Sequence, residues 1–214
     1  MPQSKPTIHA VLFDFGMVLS GPPDPASWER LKRVFAADET TFHQAYWSHR
    51  DDYDRGTLTS RAYWQIVADD LHQPLSPEAL AELVAADIGL WTQPNQEMID
   101  WAASLQRAGI KTGILSNMPD AMEVGIVQTF AWVADFDHHT WSHRLLLAKP
   151  EPAIYHHAAE GLGLPPSEIL FIDDRMENIS AAEAVGMHAI QYTNHAAFVQ
   201  TMNERGFGSL LDIL

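Results

Sequence analysis

Apolar residues run almost unbroken through residues 8–15, and the run is punctuated by Asp14 just before Gly16. A short, β-rich apolar run of this kind predicts a buried strand, here one that ends on a carboxylate. Gly21, Pro22, Pro23 and Pro25 then break the chain. Between residue 28 and about residue 88 the apolar positions recur only at helical spacing. They predict roughly four helices, separated by turns such as Asp54-Arg55-Gly56 and Gln73-Pro74.

After Thr92-Gln93-Pro94-Asn95 the period alternates. Helical spacing over 96–108 stops at Gly109, and a strand follows over 111–116. Pro119 opens another helix. Strands are then predicted at 136–141, 169–172 and 188–192, with helices at 152–162 and 175–185. Strands alternating with helices predict an α/β fold: a Rossmann-like parallel sheet flanked by helices, made of residues 1–20 and 92–214. Residues 21–91 would form an all-helical insert. Such sheets bind ligands beyond the carboxyl ends of their strands, which is where Asp14, Ser116 and Asp173 fall.

The 214 residues, 46% hydrophobic and with ordinary Gly and Pro content, can bury a sizeable core, with no repeat and no low-complexity tract. A formal charge of -15 argues against nucleic-acid binding or docking on an anionic membrane, because the overall field repels polyanions. An anionic substrate would need local positive charge. With no Cys, disulfides and thiolate metal sites are excluded. The first residues lack a basic segment followed by a long apolar core, and no apolar run is long enough to span a bilayer. The expectation is a cytoplasmic protein whose oligomeric state the sequence leaves open.

Taken singly, the polar residues at the strand ends have ordinary readings. Asp14 could close a strand in a turn, Asn117 could cap a helix, and Lys149 could be solvated surface. Asp173 and Asp174 are different, since capping explains one acid and not two. Should they gather near Asp14, each like-charged pair at about 4 Å costs about 4 kcal/mol at an effective dielectric near 20. A cation would relieve that cost, and carboxylate oxygens with water suit Mg²⁺.

Taken together, FDFG at 13–16, ILSN at 114–117, KPEP at 149–152 and FIDDRMEN at 171–178 resemble, in order and spacing, the four motifs of the haloacid dehalogenase-like hydrolase superfamily. Residues 21 to about 91 are similar to its helical cap, so the resemblance spans nearly the whole chain. It implies a phosphomonoester hydrolase with Asp14 as nucleophile and Lys149 holding it and neutralising transferred charge. Phe15, Gly16, Ser116, Asn117 and Lys149 would meet a small phosphorylated substrate. Mg²⁺ would be held by Asp14, the Gly16 carbonyl and Asp174, with Asp173 close behind and Asn178 at a position often acidic in the family.

Gly16 departs from that pattern. Most phosphatases of the superfamily carry there an Asp that protonates the leaving oxygen, and glycine donates no proton. Three outcomes follow: a leaving group that needs little protonation, a substitute acid from the cap or water, or lost activity. The first favours an anomeric sugar phosphate, and the branch that includes bacterial α-glucose-1-phosphate phosphatases is similar in its first and fourth motifs. Arg144 and Leu146 stand where relatives commonly have an acid and a glycine. The alternatives are a metal-independent 2-haloacid dehalogenase and a catalytically silent phosphate-binding protein.

Other features are read conservatively. His138, His139 and His143 lack a metal-ligand spacing. His43, His49, Arg50 and Tyr53 are cap residues that could face a substrate, with a cap His as one candidate replacement acid. Trp28, Trp47, Trp64, Trp91 and Trp101 are expected mostly in the core, and Asp51, Asp52 and Asp54 on a solvated face.

Overall fold

The computed structural model describes residues 7–212; the first six residues, on which the expectation about an export leader bears, lie outside that range. Five strands form one sheet: β1 (Ala10–Phe13), β2 (Lys111–Ser116), β3 (His138–Trp141), β4 (Ile169–Asp173) and β5 (His188–Gln191). Their order is β3-β2-β1-β4-β5 and every pairing is parallel. The chain first builds outward from β1 through β2 to β3, then returns to the other side of β1 with β4. The switch therefore lies between β1 and β4, the place where such sheets open a crevice for ligands.

The continuous apolar run of β1 follows from burial on both faces. Val11 and Phe13 point into one core with Ile114, Leu170 and Ile172, covered by α6 (Gln96–Arg107) and α11 (His195–Glu204). Ala10 and Leu12 point into the other, with Leu115 and Phe171, covered by α9 (Pro152–Leu162) and α10 (Met176–Ala184). Phe13 packs edge-on to Trp101 at 5.3 Å and to Phe136 at 5.9 Å. Burial of such a ring contributes about 1.5–3 kcal/mol.

Between β1 and α6 lie five helices rather than four: α1 (Pro25–Val34), α2 (Glu39–Ser48), α3 (Arg50–Arg55), α4 (Ser60–Asp70) and α5 (Pro77–Leu90). The extra boundary is between α2 and α3, where His49 leaves helical geometry without any glycine or proline to mark the break. Asp24, Asp38, Thr59 and Ser76 each accept a backbone N–H of the first turn of α1, α2, α4 and α5, satisfying donors that the helix cannot. These helices enclose a cluster of their own, including Leu31, Phe42, Tyr46, Tyr53, Tyr63 and Trp64.

Two adjacent strands of backbone join this helical unit to the sheet. Ser20 and Pro94 form an antiparallel bridge, Gly21 N donates to Gln93 O (2.6 Å) and Asn95 N donates to Leu19 O (3.0 Å). At the far side α3 presses on α8 (Ser142–Leu145): a Cβ at Gly56, whose φ is +87°, would lie 2.6 Å from the His143 carbonyl oxygen. Glycine is required there on both counts. The remaining helix, α7 (Asp120–Thr129), follows β2. No helix among the described residues is long and apolar enough to cross a membrane.

Candidate active site

Two adjacent strand ends and one loop converge. β1 delivers Asp14, β4 delivers Asp173 and Asp174, and the loop before α9 delivers Lys149. Beyond Asp14 the chain makes a wide turn over Phe15–Leu19, closed by Ser20 N donating to Phe15 O at 2.7 Å, with Met17 in the left-handed region (φ 61°). This turn brings Phe15 N onto Asp14 Oδ1 at 2.7 Å and fixes the carboxylate.

Lys149 Nζ bridges Asp14 Oδ1 (2.8 Å) and Asp173 Oδ2 (2.6 Å), and all three groups are buried. Asp173 Oδ1 accepts from Arg175 N (2.8 Å) and Asn178 Nδ2 (2.9 Å). Both Asp173 oxygens are thus occupied by protein donors. Asp14 Oδ2 is left without one among the described residues, and Asp174 has only its own amide. One carboxylate oxygen from each of Asp14, Asp173 and Asp174 lies within 4.8 Å of the others.

The charges do not balance, since one ammonium faces three carboxylates. Burial, opposed by Lys149 and reinforced by Asp173 and Asp174, pushes Asp14 up to about 7. Burial and Asp173 raise Asp174 in the same direction against the pull of Lys149. Burial disfavours the charge on Lys149, but Asp14 and Asp173 outweigh it and hold the lysine above its ordinary value. Asn178 Oδ1 is buried with no donor, an acceptor that water around a hydrated cation would satisfy. Hard oxygen donors, surplus negative charge and this orphaned acceptor together fit Mg²⁺.

Asn117 does not cap α7, whose N-terminus has no side-chain cap. Instead its amide clasps the backbone of Lys149 in both directions: Nδ2 donates to Lys149 O and Lys149 N donates to Oδ1, each at 2.9 Å. Ser116 ends β2, buried, and lines the same cavity as Asp14, Phe15, Gly16, Asn117, Lys149 and Asp174. That cavity holds about 430 Å³.

The helical unit supplies the opposite wall through Trp47, Arg50, Asp51, Asp54 and Trp91. Of these, sequence reading singled out only Arg50 as facing substrate. Asp54 is no solvated residue: its side chain is 18% exposed and accepts Arg50 Nε at 2.7 Å, a pair four residues apart on α3. Burial, opposed by Arg50, raises it to about 7. Trp47, expected in the core, is 46% exposed at the cavity mouth. Trp64 and Trp101 are buried as expected. His43 packs beside Trp28 and Trp47, and His49 lies 3.7 Å from Asp70; neither lines the cavity. Tyr53 is buried against Tyr63.

The three neighbouring histidines diverge. His138 packs beside His157, His139 meets Val133 O, and His143 lies between Met118 O and Glu123. Arg144 forks onto the same Glu123. Leu146 takes the left-handed backbone (φ 55°) that a glycine adopts without strain.

Residues 8–186 match the haloacid dehalogenase-like hydrolase family. A phosphatase of Mycobacterium tuberculosis is 28% identical over 189 residues, covering 86% of this chain and 86% of its own. Bifunctional epoxide hydrolase 2 of Sus scrofa is 25% identical over 199 residues, 86% of this chain, which spans only 36% of that protein. Two solved structures share the fold. A HAD family enzyme from Bacteroides thetaiotaomicron, in complex with magnesium and inorganic phosphate, superposes with a TM-score of 0.70 at 23% identity, covering 87% of this chain and 94% of that one. L-2-haloacid dehalogenase from Xanthobacter autotrophicus, with chloropropionic acid covalently bound, gives 0.68 at 20% identity, covering 95% and 88%. With the family match extending from β1 through α10, over the four motif segments and their convergent strand ends, the chain belongs to the haloacid dehalogenase-like hydrolases.

Proposed function

We propose that this hydrolase is a Mg²⁺-dependent phosphomonoester hydrolase that works through an aspartyl-phosphate on Asp14, with residues 1–20 and 92–214 as its core and 21–91 as a cap. The observation that carries the reading is the open half of the acidic cluster. Asp14 Oδ2, without a protein donor among the described residues, and Asp174, with only its own amide, belong to residues that line the cavity, next to a lysine already shared by Asp14 and Asp173. A dianionic phosphoryl group could not approach three carboxylates and one ammonium unless more positive charge were present.

Asp14, Asp174 and the backbone of Gly16 would hold the ion, with Asn178 Oδ1 receiving one of its waters. Bound there, Mg²⁺ would neutralise the carboxylates and the phosphoryl oxygens. Asp14 supplies the attacking oxygen, oriented by the Phe15 amide and by Lys149. Lys149, fixed by the Asn117 clasp, holds positive charge where the transferred oxygens pass. Asp173 keeps Lys149 charged and ties it to α10 through Arg175 N and Asn178. Ser116 offers a hydroxyl to the phosphoryl group at the end of β2. The helical unit closes the cavity and excludes water.

The phosphatase relative and the magnesium and phosphate bound by the Bacteroides enzyme support this reading. The test is turnover of acetyl phosphate and a panel of phosphomonoesters with Mg²⁺ and with chelator. Mg²⁺-dependent release of phosphate is expected, and Asp14→Asn should lower kcat at least ~1,000-fold. Chelator-resistant release of halide from 2-chloropropionate, without phosphate turnover, would assign the site to dehalogenation instead.

A further inference from the structure

Beside the polar groups around Asp14, the cavity also has an apolar lining. Met17, Trp91, Met122 and Ile126 line it without a hydrogen-bonding side chain among them except the indole N–H. Trp91 lies over Gly16: a Cβ there would be 3.4 Å from Trp91 Cζ3, so the six-membered ring occupies the direction a side chain would take. Next to the nucleophile, the leaving group therefore meets an aromatic face and not a protonatable group.

The cations that line the cavity are all engaged. Lys149 is shared by Asp14 and Asp173, Arg50 is held by Asp54 and Asp87, and Arg175 pairs with Glu177. Only the exposed Arg175, in a surface pair with Glu177, remains to meet a carboxylate or a second phosphate on the leaving group, and Asp51 and Asp54 on the cavity wall would repel one. A ring bearing many hydroxyls would lose its water where it met Met17, Trp91, Met122 and Ile126, and those four side chains offer nothing in exchange beyond the indole N–H. A flat apolar group would instead displace poorly held water and stack on the indole.

We infer that the site takes phosphomonoesters of uncharged aromatic alcohols, with Trp91 as a specificity-determining residue; this rests on the phosphatase reading above. It departs from the sugar phosphate that the sequence resemblance favours. The chemistry is consistent with the lack of a neighbouring acid. Asp14 forms a bond to phosphorus as the bond from phosphorus to the aryl oxygen breaks. The electron pair leaves on that oxygen as a resonance-stabilised phenolate, which takes a proton from water. Water then splits the aspartyl phosphate at phosphorus, releasing inorganic phosphate and regenerating Asp14.

The experiment compares kcat/KM of the full chain with Mg²⁺ for acetyl phosphate, 2-naphthyl phosphate, phenyl phosphate, glucose 1-phosphate and phosphoglycolate. The naphthyl ester should exceed glucose 1-phosphate and phosphoglycolate by at least 100-fold, with a KM at least tenfold below that of phenyl phosphate. Trp91→Ala should reduce the ratio of naphthyl to acetyl phosphate kcat/KM at least tenfold, and Trp91→Phe should restore most of it. Should Trp91→Ala fail to fold, competition on the unaltered chain decides: 2-naphthol should inhibit acetyl phosphate turnover competitively, and glucose at equal concentration should not. Turnover of acetyl phosphate with a sugar or anionic ester equal to the naphthyl ester overturns the substrate class alone. Inertness toward every phosphate, acetyl phosphate included, overturns the phosphatase reading and this inference with it.

Discussion

Two buried charge clusters contribute to the cavity, one from the sheet and one from the helical unit, and each sets a single cation against more than one carboxylate. They differ in what is left open. In the helical cluster Arg50 Nε meets Asp54 Oδ1 at 2.7 Å and Nη1 meets Asp87 at 2.9 and 3.1 Å, while Tyr46 donates to Asp87 at 2.6 Å. The Tyr46 and Tyr53 rings cover the guanidinium at 5.1 and 5.4 Å. A planar five-donor fork suits such closure. At the sheet, the three-donor ammonium of Lys149 reaches two acids and leaves Asp14 Oδ2 and Asp174 unserved. Similar composition thus yields a closed structural network in one place and a site short of positive charge in the other.

The largest expected effect breaks the closed cluster. Arg50→Met strands Asp54 and Asp87 in a buried setting and should lower unfolding free energy by about 3–5 kcal/mol in urea titrations. A loss under about 1 kcal/mol would show that the network is not closed. The open cluster predicts the reverse response, stabilisation by an added ion. Mg²⁺ at 100 times its dissociation constant should raise stability by about 2.7 kcal/mol, read as a shift in thermal midpoint. Asp174→Asn should abolish that gain, and a gain that survives the change would remove Asp174 from the binding site.

The smallest effect concerns pH. As the proposed nucleophile Asp14 would attack only when ionised, and its pKa in the protein alone is pushed up to about 7, so activity should fall as pH drops through that region. A cation beside a carboxylate favours the charged form and lowers its pKa. Raising Mg²⁺ from limiting to saturating should therefore move the acid limb of kcat/KM to lower pH by about one unit, roughly 1.4 kcal/mol. Ionisation of the substrate is common to both curves and cancels. A limb that stays in place would separate the ion from Asp14.

The central strands and their ends were legible because the apolar runs of β1, β2 and β4 stop at residues with chemistry, Asp14, Ser116 and Asp173. Local spacing carries that information. The relations across the cavity are not local. Arg50 joins Asp54 to Asp87, from another helix, and a run of three nearby acids reads as solvated surface until that fold is formed. Trp91 covers Gly16 from 75 positions away, and its only local sign is its place at the end of α5, just before the return to the sheet. Asn117 looks like a helix cap in sequence, yet its partner is Lys149, contributed after β3 and α8. The helix α11 was missed, although Asn194 caps it by accepting Ala197 N at 2.9 Å.

The paired crossing at Ser20 and Pro94 places both ends of the five-helix segment side by side on one rim of the sheet. A segment tethered at two neighbouring points can be exchanged, lengthened or pared down like a cassette without re-threading any strand. Selectivity in such an architecture can drift through grafts at this seam while the acidic floor beneath it stays untouched.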